Sequence, residues 1–434
     1  MYYSSLQNQS PSVDFRTATI QGQAPDGGLY FPEQIPQLPK ATIEQLPSLS
    51  REEIAYQVIQ PFVGDSIPES KLREIVTETI NFPIPLKQVH DQYYSLELFH
   101  GPTLAFKDIG ARFMSRCLGY FAQEKKEPVT VLVATSGDTG GAVASGFHNV
   151  EGVRVVILYP SGKVSSVQEK QLTTFGDNIQ ALEVQGNFDD CQQMVKQAFK
   201  DPELTRAIFL TSANSINVAR WLPQQFYYFF ALQQWKELKP PVICVPSGNF
   251  GNICAGLMAW KAGLPVAHFI AACNANDVVP RFLETGAYHP QPAIPTISNA
   301  MDVGNPSNFT RILEIFQQNT DALKRLLSSS RTTDEKTRDL IRSVYRQHSY
   351  LLDPHGAVAY DALQQYLNKH PEQKGILLET AHPIKFLDVV EPIIETPIPV
   401  PDSIAETLTK TKKAYLIGKN YEELKAYLLN SNPF

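Results

Sequence analysis

A chain of 434 residues is longer than one compact core serves, so two lobes are expected. Hydrophobic residues at 43% and charged residues at 19% are those of an ordinary globular protein, and a net charge of −6 with no basic tract argues against nucleic-acid and membrane-surface partners. The five cysteines are odd in number and show no CxxC spacing, which argues against a disulfide framework or a metal site and for a reducing compartment. No basic segment followed by an apolar run opens the sequence, and the longest apolar stretch, 253–260, is too short for a bilayer. A soluble, cytoplasmic protein is expected.

The first hundred residues are irregular, punctuated by Pro25, Pro32, Pro36, Pro39 and Pro47. Helices are predicted at 51–62 and 71–79, without chemistry on them. A helix over 109–123 comes next, and then VTVLVA at 129–134, a continuous apolar run typical of a strand buried on both faces. Helices at 139–147, 164–175 and 188–199 alternate with strands at 153–159, 179–184 and 207–211, and a long helix is expected over 217–235. Such alternation predicts a parallel α/β lobe. After Pro240 and Pro241 the pattern restarts, with strands at 242–245 and 266–271 around a helix at 253–262. A second α/β lobe is expected, covered by helices at 309–327 and 334–348.

Several segments combine residue types suited to chemistry. In HGPTLAFKD, Lys107 stands just before a helix. A cation there is disfavoured by the helix dipole, and a neutral amine can attack an aldehyde to form a Schiff base. The turn TSGDTGGA, from Thr135, lies between a buried strand and a helix, where successive N–H groups form an anion cradle. It is neither a Walker A loop nor a GxGxxG fingerprint. PSGNFGN, from Pro246, is a second such loop, in which Gly248 and Gly251 permit close backbone approach. Two loops in two lobes suggest one site between them. In NSINVAR, from Asn214, Asn and Ser are helix-capping types, and Arg220 offers a fork to a phosphate or carboxylate. His355 and His382 are further acid–base candidates, although a lone histidine is more often structural. Thr380 follows the apolar run 375–378 and can meet a ligand from a strand end.

Taken in order, these motifs resemble those of the threonine synthases, which belong to the tryptophan-synthase-β-like enzymes of pyridoxal-phosphate fold type II. The resemblance runs over nearly the whole chain, from GGLYFP at 27–32 through HGPTLAFKD, ATSGDTGGA, NSINVAR and SGNFGN to DVGNPSN at 302–308. The short N-terminal region is similar to that of the bacterial and fungal branch. The resemblance implies an α/β fold with two lobes, each a mostly parallel sheet flanked by helices: an N-terminal segment, 1–100, packing on the larger lobe; a smaller lobe, 101–238, with the cofactor lysine; and the larger lobe, 239–434, with the cofactor phosphate loop. It implies pyridoxal 5'-phosphate on Lys107, with its phosphate at Gly248, Asn249, Phe250, Gly251 and Asn252 and its pyridine nitrogen facing Thr380. Thr135, Ser136, Gly137, Asp138 and Thr139 would lie near the substrate carboxylate and the cofactor ring, and Ser215, Asn217 and Arg220 at the substrate phosphate. Gly356 departs from the hydroxyl residue that relatives often carry after Pro-His, so the segment 353–356 stays outside the catalytic set. The implied reaction converts O-phospho-L-homoserine and water to L-threonine and phosphate. The alternative within enzymes is a phospho-lyase releasing 2-oxobutanoate, and outside them a silent scaffold, against which the intact Lys107 and both loops argue.

Overall fold

The apolar runs near 130 and 155 form neighbouring strands, Val129–Ala134 and Val153–Pro160, in which every residue is buried. A strand enclosed on both faces has no solvent side to mark with polar residues, so its sequence reads as unbroken hydrophobicity. In the computed structural model, which describes residues 1–123 and 128–430, these two strands lie within a five-stranded parallel sheet. Its order is Tyr415–Ile417, Ile179–Val184, Val153–Pro160, Val129–Ala134, Phe209–Thr211.

The second sheet has six strands in the order Leu327–Arg331, His268–Cys273, Val242–Pro246, Gly375–Glu379, Tyr93–Glu97, Leu86–His90. All its pairs are parallel except the last, an antiparallel pair with a register shift between Gln88 and His90. A small antiparallel sheet joins Tyr2–Ser5 to Val13–Asp14 and Tyr30–Pro32.

The lobes therefore do not follow linear boundaries at 100 and 238. Strands 86–90 and 93–97, expected in a separate N-terminal segment, are part of the larger sheet. The end of the chain, expected in the larger lobe, returns to the smaller one. Tyr415–Ile417 pairs with the strand Ile179–Val184, and helix Tyr421–Asn430 packs Leu424 and Leu428 into the cluster formed by Leu182, Val184 and Met194. An outer strand leaves backbone N–H and C=O groups unpaired, and the returning segment satisfies them. The N-terminal segment also touches more than the larger lobe. Phe15 meets Phe113 and Phe121, both on helix Lys107–Ala122, edge-on at centroid distances of 6.5 and 6.4 Å.

Two predicted helices are broken. The one expected over 217–235 runs as Val218–Trp221, a 3-10 turn at Leu222–Gln224 and Gln225–Gln234. Pro223 lies in the turn and cannot donate to a helical ladder. The one expected over 309–327 divides into Phe309–Ile315 and Thr320–Leu326, because Gln317 and Gln318 adopt φ of 50° and 60°. A 14-residue helix, Pro354–Leu367, was not anticipated. It is buried on nearly every side, so it shows no amphipathic period. All five cysteines are free and buried, and among the described residues no helix is long and apolar enough to cross a membrane.

Candidate active site

The ends of strands from both large sheets converge on Lys107. It is the first residue of helix Lys107–Ala122, and the turn before it is stitched to the end of strand Gly375–Glu379. Phe106 N donates to Thr380 O at 2.9 Å, His382 N donates to Leu104 O at 3.0 Å, and Ala105 bridges to Ala381. Leu104 is held at a left-handed φ of 58° in this turn. The lysine and Thr380 are thus neighbours although 273 positions apart by their numbers, 380 − 107.

The Lys107 side chain is 17% exposed, and its Nζ lies 3.3 Å from Asp138 Oδ2. Burial lowers its proton affinity below the ordinary lysine value; Asp138 opposes this, while the charges of Lys385 and Arg220 add to it. Asp138 Oδ1 receives Lys385 Nζ at 2.9 Å and Gln168 Nε2 at 2.9 Å. Burial alone would raise this carboxyl, but the two lysine charges and the Gln168 hydrogen bond hold it well below the usual carboxylate range.

Asp138 opens the helix Asp138–Phe147 that follows the first loop. The Thr135 hydroxyl accepts from Gly137 N at 3.0 Å and Gly140 N at 2.8 Å, so this residue closes the loop from behind. Gly137 has φ 140°, and a Cβ there would lie 2.5 Å from the Gln168 side chain. Only glycine suits the position.

The second loop follows strand Val242–Pro246. Phe250 sits in the left-handed region, φ 61°, ahead of the 11-residue helix Gly251–Lys261. Asn252 Nδ2 donates to Pro246 O at 2.8 Å. A Cβ at Gly248 would come within 2.6 Å of Met301 Cα, so the loop lies directly on the 299–308 segment. Asn249 carries the contact between the loops: it donates to Ser215 Oγ at 2.7 Å and accepts from Ser307 N at 2.6 Å. Asn308 Nδ2 also donates to Ser215 Oγ, at 3.2 Å. Ser215 is therefore drawn to the second loop, with its own hydroxyl hydrogen left to donate.

Asn217 differs from expectation. Its Nδ2 donates to Thr19 O at 2.8 Å and Ser212 O at 3.1 Å, and its Oδ1 accepts from Ala219 N at 3.0 Å. Fully buried with its amide engaged on both sides, it caps helix Val218–Trp221 and has nothing left for a phosphate. Arg220, on that helix, is 3% exposed, and its Nε and Nη1 have no hydrogen-bond partner among the described residues. Burial lowers its pKa to about 10, against the opposing charge of Asp108. The helices bearing Lys107 and Arg220 touch at Gly110, where a Cβ would lie 2.3 Å from Arg220 O.

His355 is engaged at both ring nitrogens and His382 at Nδ1. His355 Nδ1 pairs with Asp353 Oδ2 at 3.1 Å, and its Nε2 accepts from Ala300 N at 3.2 Å. His382 Nδ1 accepts from Ile384 N at 3.1 Å; burial and then His100 lower its pKa to about 4. The departure at Gly356 also has a cause: a Cβ there would meet Glu379 Oε1 at 2.0 Å. Sequence reasoning missed Lys385, Gln168 and Asn308. For Lys385 a signal existed, since it interrupts the apolar run PIKF just after His382.

The residues present fit a phosphorylated aldehyde cofactor. A lysine of lowered proton affinity follows a turn that is hydrogen-bonded to a strand-end threonine, two glycine positions leave space that a Cβ would fill against backbone or neighbouring side chains, and two nitrogens of a buried guanidinium have no hydrogen-bond partner among the described residues. Known protein families agree with this fit. The family described as "Pyridoxal-phosphate dependent enzyme" matches residues 75–379, with "Threonine synthase N terminus" at 2–80 and "Threonine synthase, C-terminal" at 356–428. The fold and site define a pyridoxal-phosphate-dependent enzyme of fold type II. A threonine synthase from Haemophilus influenzae is 44% identical over 98% of this chain and 99% of its own length. The crystal structure of the Escherichia coli threonine synthase matches with TM-score 0.93 and 42% identity over 99% of this chain and 100% of that one. A pyridoxal-phosphate-bound threonine synthase from Brucella melitensis also gives 0.93, at 35% identity over 99% of each chain. The chain belongs to the threonine synthase family.

Proposed function

We propose that the chain converts O-phospho-L-homoserine and water to L-threonine and phosphate in the cytoplasm, a reducing compartment that suits five free, buried cysteines. The observation that carries the substrate reading is the buried guanidinium of Arg220, whose Nε and Nη1 have no hydrogen-bond partner among the described residues and whose charge acts on Lys107. A buried cation without an anion is costly, and a phosphate ester offers a matched bidentate acceptor.

When bound, pyridoxal phosphate supplies the electron sink that makes the substrate's Cα–H and Cβ–H bonds acidic. Lys107 would hold the cofactor, and as a free, neutral amine its Nζ would be the base for the Cα proton, which an ammonium cannot be. Backbone amides of Gly248, Asn249, Phe250, Gly251 and Asn252, at the positive end of a helix, would hold the cofactor phosphate. Thr380 would offer its hydroxyl to the pyridine nitrogen. Ser136, Gly137 and Thr139 receive the substrate carboxylate in the loop that Thr135 closes. Arg220 and Ser215 hold the substrate phosphate, with Asn217 acting through the helix cap. In balance, the proton lost from Cβ is regained at Cγ, which becomes the methyl, and phosphate leaving Cγ would stay at Arg220, placed to accept a proton from the water that adds at Cβ. In this reading the smaller lobe contributes Lys107 and the carboxylate loop, and the larger lobe the cofactor phosphate loop and Thr380.

Incubating the purified holoenzyme with O-phospho-L-homoserine tests the proposal. Threonine and phosphate are expected in equal amounts. Phosphate accompanied by 2-oxobutanoate would identify a phospho-lyase instead, and a cofactor-loaded enzyme without turnover would refute the substrate assignment.

A further inference from the structure

We propose that Lys385 is a positioning residue of the active site: it neutralises Asp138, so that Asp138 holds Lys107 in place without keeping it protonated. The Lys385 side chain is wholly buried, and its Nζ lies 2.7 Å from Thr103 O and 2.9 Å from Asp138 Oδ1. Both contacts converge on Lys107. Thr103 opens the turn that delivers the lysine, and the other oxygen of Asp138, Oδ2, lies 3.3 Å from its Nζ. One carboxylate thus stands between two lysine ammonium positions, with Gln168 Nε2 as a third, uncharged donor on the Lys385 side.

A glutamine could supply hydrogen bonds at Lys385's place. A buried ammonium is needed there only if its charge matters. Without that charge, Asp138 would be a buried anion whose nearest cation is Lys107. Such a pair is most stable with Lys107 protonated, and a protonated lysine neither bonds an aldehyde nor accepts a proton. With Lys385 present the anion is already matched, and a further proton on Lys107 would add charge to a site that also contains Arg220.

The charged groups facing Lys107 are Asp138 from helix Asp138–Phe147, Lys385 from the 3-10 turn Pro383–Phe386, and Arg220 from helix Val218–Trp221. On its own helix, Asp108 is turned to Thr103, accepting from N at 2.9 Å and from Oγ1 at 2.5 Å. The ring of Phe106, 5.4 Å from Nζ, is uncharged. Of these, Lys385 alone both touches Asp138 on its far oxygen and repels a proton from Lys107. The inference takes from the proposed function only that Lys107 works as a neutral amine, and its test uses neither substrate nor product.

Lys385→Met removes charge and donors, whereas Lys385→Gln removes the charge and keeps donors. The full-length chain, stripped of cofactor, is labelled with acetic anhydride across a pH series, and acetylation of Lys107 is quantified by peptide mass mapping. Folding is checked by circular dichroism. Both variants are expected to lower Lys107 labelling at pH 8 at least about tenfold, the scale set by removing a like charge a few ångströms away. In the holoenzyme, the pH at which the cofactor absorbance band titrates should rise in both. Asp138→Asn should act oppositely and raise labelling at pH 8. Wild-type labelling in folded Lys385→Met and Lys385→Gln would overturn the proposal. So would a Gln variant like wild type beside an altered Met variant, since hydrogen bonding alone would then suffice. If neither Lys385 variant folds, Asp138→Asn decides: unchanged or reduced labelling overturns the charge coupling.

Discussion

Arg220→Met should separate stability from catalysis. The guanidinium is 3% exposed, and two of its nitrogens have no partner among the described residues. Burial brings its pKa from 12.5 down to about 10, which corresponds to about 3 kcal/mol against the charged form in the fold. The sign follows from linkage. A base whose folded pKa is depressed costs the fold stability at every pH below that pKa, so the full cost is present at pH 7. Methionine keeps much of the aliphatic volume and removes the charge, and Gln224 Nε2 keeps its 3.0 Å bond to the backbone oxygen of residue 220. The variant should therefore melt no lower than wild type, and up to several degrees higher, without phosphate present. In catalysis the direction reverses. Losing a buried, charge-assisted contact to the substrate phosphate should cost about 2–4 kcal/mol, roughly a 30- to 1000-fold fall in kcat/KM. In the cofactor-loaded enzyme, whose 248–252 loop is occupied, inorganic phosphate should raise the melting temperature of wild type and leave that of the variant unmoved. Steady-state kinetics with O-phospho-L-homoserine and thermal melts with and without phosphate are the assays. A variant with lower stability and kcat/KM within about threefold of wild type would refute the reasoning, because Arg220 would then be a structural cation.

Three further outcomes are expected. Lys107→Ala should abolish turnover and the borohydride-reducible covalent adduct with pyridoxal phosphate; peptide mapping that finds the adduct on another lysine would displace Lys107 from its role. Thr380→Asp should retain cofactor but slow threonine formation and accumulate a long-wavelength absorbance band with substrate, since a nearby anion favours a protonated ring. Thr380→Ser should keep most activity, and rapid-scan spectra distinguish the two. Gly248→Ala forces a Cβ to within 2.6 Å of Met301 Cα and 3.1 Å of Ala300 O, both backbone atoms that cannot swing away. It should lose about 1–3 kcal/mol of stability and release cofactor on dialysis, read by thermal melting and by absorbance.

The parts legible in the sequence were those set by local chemistry. Val129–Ala134 and Val153–Pro160 could be read because strands enclosed on both faces must be apolar throughout. The two glycine-containing turns could be read because the positions they occupy after buried strands, and at Gly137 a φ of 140°, constrain the residue type directly. Lys107 could be read from its place at a helix start. What only the tertiary structure decided depends on partners far along the chain. Lys385 reaches Thr103 across 282 positions, and Arg311 reaches Tyr30 O across 281, links for which no spacing rule exists. The three residues Tyr415–Ile417 carry too little pattern to announce a strand, and their pairing follows from the open edge at Ile179–Val184. Asn217 has the residue type for either a cap or a phosphate ligand. Its choice was made by Thr19 O and Ser212 O, which consume its donors, whereas among the described residues nothing consumes Nε and Nη1 of Arg220. Local sequence specifies which groups can act; burial and the competition among distant neighbours for each donor, acceptor and charge select the ones left free to do so.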